Sequence, residues 1–217
     1  MNVALIGATG FVGSAILKEA LERGHKVTAI SRNPGDLQVE DEKLTLTKAD
    51  IFKTEELADI LKDHDAVISA YNPGWTNPNI YEDHLNGSKA IQEAVRQSGV
   101  KRYIAIGGGG SLDVAPGLQA VDAPGFPEAI KPGATAARDY MLHLKNEQDL
   151  EWTLFCPAFE MHQGTSGIKR GTYRKGLDNP VFDEEGRSVL SVEDLALAII
   201  DELEQGNHIR QRFTAAY

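Results

Sequence analysis

Short apolar runs alternate with amphipathic segments along the chain. Runs of aliphatic and β-branched residues predict strands at 3–6, 26–30, 44–48, 66–70, 103–106 and 152–156. Between them, apolar residues recur at helical spacing and predict helices at 11–23, 54–62, 80–98, 134–148 and 191–204. Strands that alternate with helices favour right-handed βαβ units. The pattern therefore predicts an α/β protein with a Rossmann-type, doubly wound parallel sheet.

Two irregular stretches interrupt this alternation, at about 107–133 and 158–187. The first holds many Gly and Pro residues and few charges, and the second is rich in Gly, Lys and Arg. Stretches of this length without regular structure are usually functional or mobile. We expect one domain over 1–217, with both stretches as inserts on the substrate side and a small C-terminal cap region beside the sheet.

A glycine motif, Gly7-Ala-Thr-Gly-Phe-Val-Gly13, lies directly between the first predicted strand and the first predicted helix. The first glycine permits a tight turn, the second leaves room for a pyrophosphate, and the third lets helix and strand pack closely. The helix N-terminus then offers free N–H groups to the phosphates. Strand, motif and helix agree, so the motif predicts a dinucleotide site rather than a plain glycine-rich connection.

The end of the second predicted strand bears on which dinucleotide binds. NAD sites commonly carry an acidic residue here for the ribose hydroxyls, whereas this chain has Ser31-Arg32. Arg32 is suited to a 2′-phosphate, with Ser31 adding a hydrogen bond, and this favours NADP(H) over NAD(H). The alternative is a solvated loop arginine. Asp50 and Ile51 follow the third strand and either flank the adenine or form an ordinary turn.

Composition and charge exclude several classes of function. The 217 residues include 22 Lys and Arg against 32 Asp and Glu, a net charge of −10, which argues against a nucleic-acid partner. No apolar run approaches the length of a membrane span, and the first residues are typical of a strand rather than a signal peptide. Cys156 is the only cysteine, and no Cys/His cluster has zinc spacing. We expect a cytoplasmic, metal-free monomer or homodimer with a small-molecule substrate.

These motifs resemble the short-chain dehydrogenase/reductase superfamily. The stretch 5–13 is similar to its atypical branch of NAD(P)H-binding, NmrA-like proteins. The stretch from Gly107 to Gly117 and the segment Asp122-Ala-Pro-Gly-Phe-Pro127 resemble the NADH-flavin reductase group that includes biliverdin reductase B. The resemblance covers essentially the whole chain. It implies a Rossmann fold and an NAD(P)H-dependent reductase of a flavin-like or other conjugated acceptor, with FMN or FAD as candidate substrates.

Residues after the strands complete the expected cofactor site. Tyr71 follows the fourth strand, Gly107 the fifth, and Pro157 and Phe159 the sixth, all at the edge where such sheets bind ligands. The candidate cofactor-binding residues are Gly7, Thr9, Gly10, Phe11, Val12, Gly13, Ser31, Arg32, Asp50, Ile51, Ala70, Tyr71, Gly107, Pro157 and Phe159.

The chain lacks the Tyr-x-x-x-Lys pair of standard superfamily members. The nearest pair, Tyr140 and Lys145, is five residues apart, which places the side chains roughly 140° apart around a helix. Two other groups are candidate catalytic residues. Ser111 ends the glycine run after the fifth strand and is either a ligand contact or a turn serine. His162 follows the sixth strand and is either a proton donor or a solvated loop residue.

Two other functions stay open beside the reductase. A non-catalytic NADP(H)-binding redox sensor of the NmrA type needs the same glycine motif without turnover. An NAD-dependent epimerase or dehydratase usually needs the missing Tyr–Lys pair and a larger C-terminal domain.

Overall fold

The computed structural model covers residues 1–217 and contains ten strands and five α-helices. The strands are β1 (Asn2–Ile6), β2 (Lys26–Ser31), β3 (Leu44–Lys48), β4 (Ala66–Ser69), β5 (Arg102–Ile106), β6 (Asp113–Ala115), β7 (Leu118–Gln119), β8 (Glu151–Cys156), β9 (Arg174–Gly176) and β10 (Gln211–Ala216). The helices are α1 (Phe11–Glu22), α2 (Thr54–Leu61), α3 (Ile80–Ser98), α4 (Lys131–Leu144) and α5 (Val192–Gln205).

Eight of the strands form one sheet in the order β3-β2-β1-β4-β5-β8-β10-β9. All pairs are parallel except β10 with β9. The order reverses direction between β1 and β4, which is the position where open α/β sheets bind ligands. The doubly wound, Rossmann-type prediction is confirmed.

The core is split into two layers by the sheet. Helices α1 and α5 cover one face with a cluster of 24 buried apolar residues. Helices α2, α3 and α4 cover the other face with a cluster of 21. The central strands β1 and β4 are buried on both faces, which explains their unbroken apolar runs.

Four strands were missed by the sequence prediction. Strands β6 and β7 form a small hairpin inside the first insert, and β9 lies in the second. Strand β10 was missed because Gln211 and Arg212 break its apolar pattern. Arg212 is nevertheless buried, since its guanidinium donates to Asp113 at 2.6 Å and to Asp178 at 2.6 Å. A paired cation inside a strand does not have the hydrophobic signature on which the prediction depended.

Helix α4 begins three residues earlier and ends four residues earlier than predicted, because 134–148 becomes Lys131–Leu144. Pro132 lies in its first turn, where a missing N–H costs no hydrogen bond. The prediction treated that proline as part of the preceding loop.

The buried Arg212 also joins the two inserts. Asp113 belongs to the first insert and Asp178 to the second, and the backbone N–H of Asp113 donates to the carbonyl of Asp178 at 2.8 Å. Asn179 adds a side-chain hydrogen bond to the carbonyl of Asp113 at 2.7 Å. The two inserts are therefore held to each other beside β10.

Candidate functional site

The loop between β1 and α1 forms a glycine cradle at the carboxyl edge of the sheet. Gly7 has φ +82°, and a Cβ there would lie 2.7 Å from the carbonyl oxygen of Ala70. A Cβ on Gly13 would lie 2.1 Å from the carbonyl oxygen of Gly7, so helix and loop touch without a side chain between them. Gly10 is exposed, and the nearest atom to a Cβ there would be 3.4 Å away. The loop therefore packs closely against its neighbours at Gly7 and Gly13 and is open to solvent at Gly10.

The N-terminus of α1 opens onto this cradle. No side chain caps it, and its first turn carries no acidic residue. Thr9 and Phe11 are exposed beside it, and Val12 is half-buried. Uncapped N–H groups at a helix N-terminus suit an anionic group such as a pyrophosphate.

A cleft of about 620 Å³ continues from the ends of β2, β3 and β4. It brings together four of the predicted cofactor residues: Arg32, Asp50, Ile51 and Tyr71. The remaining lining residues are Lys48, Ala49, Phe52, Lys53, Glu56, Pro73, Asn77 and Asp83. The volume and the mixed lining are within the range of ligand clefts.

Two polar groups at this end of the sheet differ in what they contact. The hydroxyl of Ser31 is buried, has no hydrogen-bond partner and does not line the cleft, so its contact with a cofactor stays a prediction. One carboxylate oxygen of Asp50 accepts from the backbone N–H of Phe52 at 3.0 Å, so Asp50 forms a local turn while it lines the cleft.

Tyr71 forms the wall of the cleft next to α3. Its hydroxyl donates to the carbonyl of Asp83 at 3.1 Å. Burial raises the pKa of Tyr71 to about 12, and the nearby Arg32 opposes that shift. A Cβ on Gly87 would lie 2.4 Å from the Tyr71 ring, so Gly87 allows the ring to pack against the helix. The Tyr71 phenol therefore stays protonated and neutral at physiological pH while its ring lines the cleft.

The glycine run after β5 faces exposed aromatic rings. The N–H of Gly107 donates to the carbonyl of Phe155 at 2.8 Å, while Pro157 is buried. Phe159 lies against Gly109, whose added Cβ would be 3.2 Å from the ring. Phe182 meets Phe159 edge to face with centroids 6.1 Å apart, and both residues are partly exposed, at 45% and 42%. Such rings suit contact with a flat ligand.

Ser111 is fully buried in the turn that follows this run. Its hydroxyl has no hydrogen-bond partner. Its backbone carbonyl accepts from Gln119 at 3.0 Å and from Arg212. Contact between its hydroxyl and a bound molecule requires this turn to open, so its catalytic role stays a prediction.

His162 lies on the surface beyond β8. Its Nδ1 accepts from the backbone N–H of Gly164 at 3.1 Å, and the side chain of Thr165 completes a reciprocal cap. The imidazole therefore stabilises its own turn. Proton donation by His162 also stays a prediction.

The cap segment, residues 162–175, is fixed to the N-terminus of α5. Asp194 is buried, and its carboxylate accepts from the backbone N–H groups of Arg170 at 2.8 Å and Gly171 at 2.9 Å. Tyr217 donates its hydroxyl to the same carboxylate, and Arg170 covers the Tyr217 ring at 3.8 Å. Two further cations of this segment are also engaged, since Lys169 pairs with Glu19 and Arg174 donates to the carbonyls of Phe182 and Tyr217.

Several lining residues were missed by the sequence reasoning. Lys48, Asn77 and Asp83 line the cleft although no motif marks them. Lys48 was recognisable in principle, because it ends the strand that pairs with β2 at the ligand edge. Asn77 and Asp83 reach the cleft through the path of the loop before α3, which the sequence alone does not specify.

A family model described as NAD(P)H-binding matches residues 7–205. The chain belongs to this family. The match spans the glycine cradle, the cleft and both inserts, and it confirms the resemblance to the atypical short-chain dehydrogenase/reductase group. Members of this family bind a nicotinamide cofactor, and the chain has the corresponding oxidoreductase-type fold.

Relatives of this NAD(P)H-binding protein are found among curated proteins and solved structures. The uncharacterized protein YwnB of Bacillus subtilis is 34% identical, over 99% of this chain and 97% of its own. A structure from Bacteroides thetaiotaomicron, provisionally named an epimerase, is 43% identical with a TM-score of 0.92, over 100% of this chain and 96% of its own. A structure from Streptococcus pneumoniae, provisionally named an NADH-flavin reductase, is 33% identical with a TM-score of 0.84, over 100% and 99%.

None of the helices of this NAD(P)H-binding protein combines the length and the apolar composition needed to cross a membrane.

Proposed function

We propose that this protein is an NAD(P)H-dependent reductase that transfers hydride to a flavin-like or other conjugated acceptor, with NADP(H) preferred over NAD(H). One observation carries the proposal. The strands of one sheet are followed by the cleft beside Arg32, by the uncapped N-terminus of α1 and, after β8, by the ring of Phe159 against Phe182. When bound there, a reduced nicotinamide supplies the reducing equivalent.

The chain's own residues have distinct roles in this proposal. Gly7, Gly10 and Gly13 let the pyrophosphate approach the N–H groups of α1. Ser31 and Arg32 contact the ribose and its 2′-phosphate. Asp50, Ile51, Ala70 and Tyr71 border the adenosine, and Gly107, Pro157 and Phe159 border the nicotinamide. The FMN or FAD substrate stacks against the aromatic rings.

The surroundings of Tyr140 support an acceptor that does not need a tyrosine proton relay. Tyr140 is buried in the α4 face, and its hydroxyl meets that of Tyr103 at 3.1 Å. Burial raises the pKa of Tyr140 well above its usual value of 10, while Lys145 is exposed. A conjugated acceptor takes its proton from water or from a weak donor.

The test is to mix the purified protein with NADPH and FMN and follow the loss of reduced-nicotinamide absorbance. We expect steady oxidation that depends on FMN concentration. The variant Arg32→Asp places a carboxylate beside the 2′-phosphate, so we expect its KM for NADPH to rise at least about tenfold and its KM for NADH to change little.

Arg96→Asp is the matched control, because Arg96 is exposed on α3 and pairs only with Glu93. It makes the same charge change away from the cleft and should leave both KM values within about twofold. NADPH binding without oxidation by FMN, FAD or a quinone would contradict the reductase proposal. Equal KM changes in both variants would contradict the role of Arg32.

A redox sensor is the second candidate. The observation in its favour is that neither candidate proton donor faces the cleft freely, because Ser111 is buried and His162 caps its own turn. Tight binding of oxidised and reduced cofactor, with no turnover in an acceptor screen, would favour the sensor. An epimerase or dehydratase ranks third, since the buried Tyr140 is not paired with a lysine.

A cytoplasmic location, no nucleic-acid partner and a monomeric or homodimeric state remain predictions of this proposal. The net charge of −10 supports the second of them.

A further inference from the structure

Lys48 occupies a position at the ligand edge that the glycine motif does not explain. It is the last residue of β3 and pairs directly with Ser31, the last residue of β2, in the parallel ladder. Directly paired residues of neighbouring strands project from the same face of a sheet. Lys48 therefore projects beside the buried, unpartnered hydroxyl of Ser31. It also lines the same cleft as Arg32.

Six charged residues line this cleft, of which four have a polar partner and two do not. Lys53 pairs with Glu56 at 3.1 Å, and Asp83 accepts from the side chain of Asn77 at 2.8 Å. Asp50 accepts from the backbone N–H of Phe52. Arg32 and Lys48 have neither an ion pair nor a side-chain hydrogen bond, although both are exposed to the cleft.

Two unpaired cations line one cleft, and the buried hydroxyl of the strand-end Ser31 lies next to them in the chain and in the β2–β3 ladder. This set of groups matches the chemistry of a phosphate monoester. A phosphate dianion offers three acceptor oxygens, enough for a guanidinium, an ammonium and a hydroxyl together. A ribose with two free hydroxyls offers no charge for the second cation. Adding Lys48 to the site therefore changes the affinity for the phosphorylated ribose far more than that for the unphosphorylated one.

We propose that Lys48 is a second determinant of selectivity for the 2′-phosphate of NADP(H), binding the same phosphate as Arg32 and Ser31. The inference rests on the proposed preference for NADP(H). It assigns the selectivity to two strand ends rather than to the single residue after β2.

The test compares two ligands that differ only in the 2′-phosphate: adenosine 2′,5′-bisphosphate and adenosine 5′-monophosphate. Their Kd values are measured by calorimetry on the full chain, so the readout does not depend on turnover. We expect Lys48→Met to weaken binding of the bisphosphate by about fivefold to tenfold and that of the monophosphate by less than about twofold. Lys48→Arg should restore most of the lost selectivity.

Lys53→Met is the matched control, since Lys53 lines the same cleft but is held by Glu56. It removes the same charge and should change the ratio of the two Kd values by less than about twofold. Equal losses of selectivity in both variants, or unchanged selectivity in Lys48→Met, would overturn the role of Lys48.

The design separates this inference from the proposed function. If the native protein favours the bisphosphate and Lys48→Met keeps that preference, the proposed NADP(H) preference stands and only the role of Lys48 is contradicted. If the native protein shows no preference, both the NADP(H) preference and the role of Lys48 are contradicted.

Discussion

At the residue scale, the ligand edge depends on close backbone contacts more than on reactive side chains. The spacing of Gly7, Gly10 and Gly13 predicted the cradle, because a strand, a tight turn and a helix place fixed demands on those positions. The burial of Ser111 was not predictable. A run of four glycines before it leaves the backbone path undetermined, and only the packing of the turn against α4 fixes the hydroxyl.

Two alanine substitutions in the cradle should separate folding from binding. Gly13→Ala puts a Cβ 2.1 Å from the Gly7 carbonyl oxygen, so the helix must move and the protein should lose about 2 kcal/mol or more of unfolding free energy. Gly10→Ala meets nothing closer than 3.4 Å, so its stability should stay within about 1 kcal/mol while NADPH binding weakens at least about tenfold. Urea denaturation and fluorescence titration measure the two effects. A stable Gly13→Ala protein would contradict the contact.

At the element scale, the sequence located the five helices and six strands and missed β6, β7, β9 and β10. The predicted strands β1, β2, β3, β4, β5 and β8 were recognised by their apolar and β-branched residues. Strands β6 and β7 form a hairpin of only three and two residues, which is too short to show a pattern. Strands β9 and β10 depend on partners far away in the sequence, such as the contact between Arg212 and Asp113. Polar tertiary contacts of this kind leave no periodic signal along the chain.

The attachment of the cap segment to α5 gives a prediction at this scale. Asp194→Asn replaces an acceptor-only carboxylate with an amide, so the N–H groups of Arg170 and Gly171 lose a charged acceptor. We expect faster tryptic cleavage after Lys169 and Arg170, at least about fivefold, with an opening cost lowered by about 1–3 kcal/mol.

Asp59→Asn is the control for the cap segment, because it makes the same change of carboxylate to amide at an exposed residue of α2 that pairs only with Lys62. Its cleavage rate should match the native rate within about twofold. Equal rates in the native and Asp194→Asn proteins would show that the carboxylate does not hold the segment.

At the scale of the whole molecule, the layer of α2, α3 and α4 encloses a titratable side chain that lacks a partner on one ring nitrogen. His84 is enclosed beside the Tyr71 ring, its Nδ1 has no partner, and burial lowers its pKa to about 4. The sequence placed His84 on a helix but gave no sign of this environment, since a single histidine does not alter the helical pattern.

His84 should make the stability depend on pH. Its folded pKa lies below the unfolded value of about 6.5, so the unfolded chain binds the extra proton between these values. Unfolding free energy should therefore fall by about 2–3 kcal/mol as pH falls from about 6.5 to 4, with no contribution from His84 above that window. His84→Gln should flatten this slope in urea titrations at several pH values. A slope that persists in His84→Gln would exclude His84 as its source.

The two tryptophans sit in opposite surroundings, and this gives the protein two independent optical reporters. Trp152 is 3% exposed inside the sheet, whereas Trp75 is 58% exposed on the loop after β4, against Gly133 of α4. Iodide should quench the red-shifted emission of Trp75 and leave the blue-shifted emission of Trp152 intact. Trp75 lies in the chain between Pro73 and Asn77, which line the cleft, so we expect ligand binding to change the Trp75 band and unfolding of the core to change the Trp152 band, in one sample and without a label.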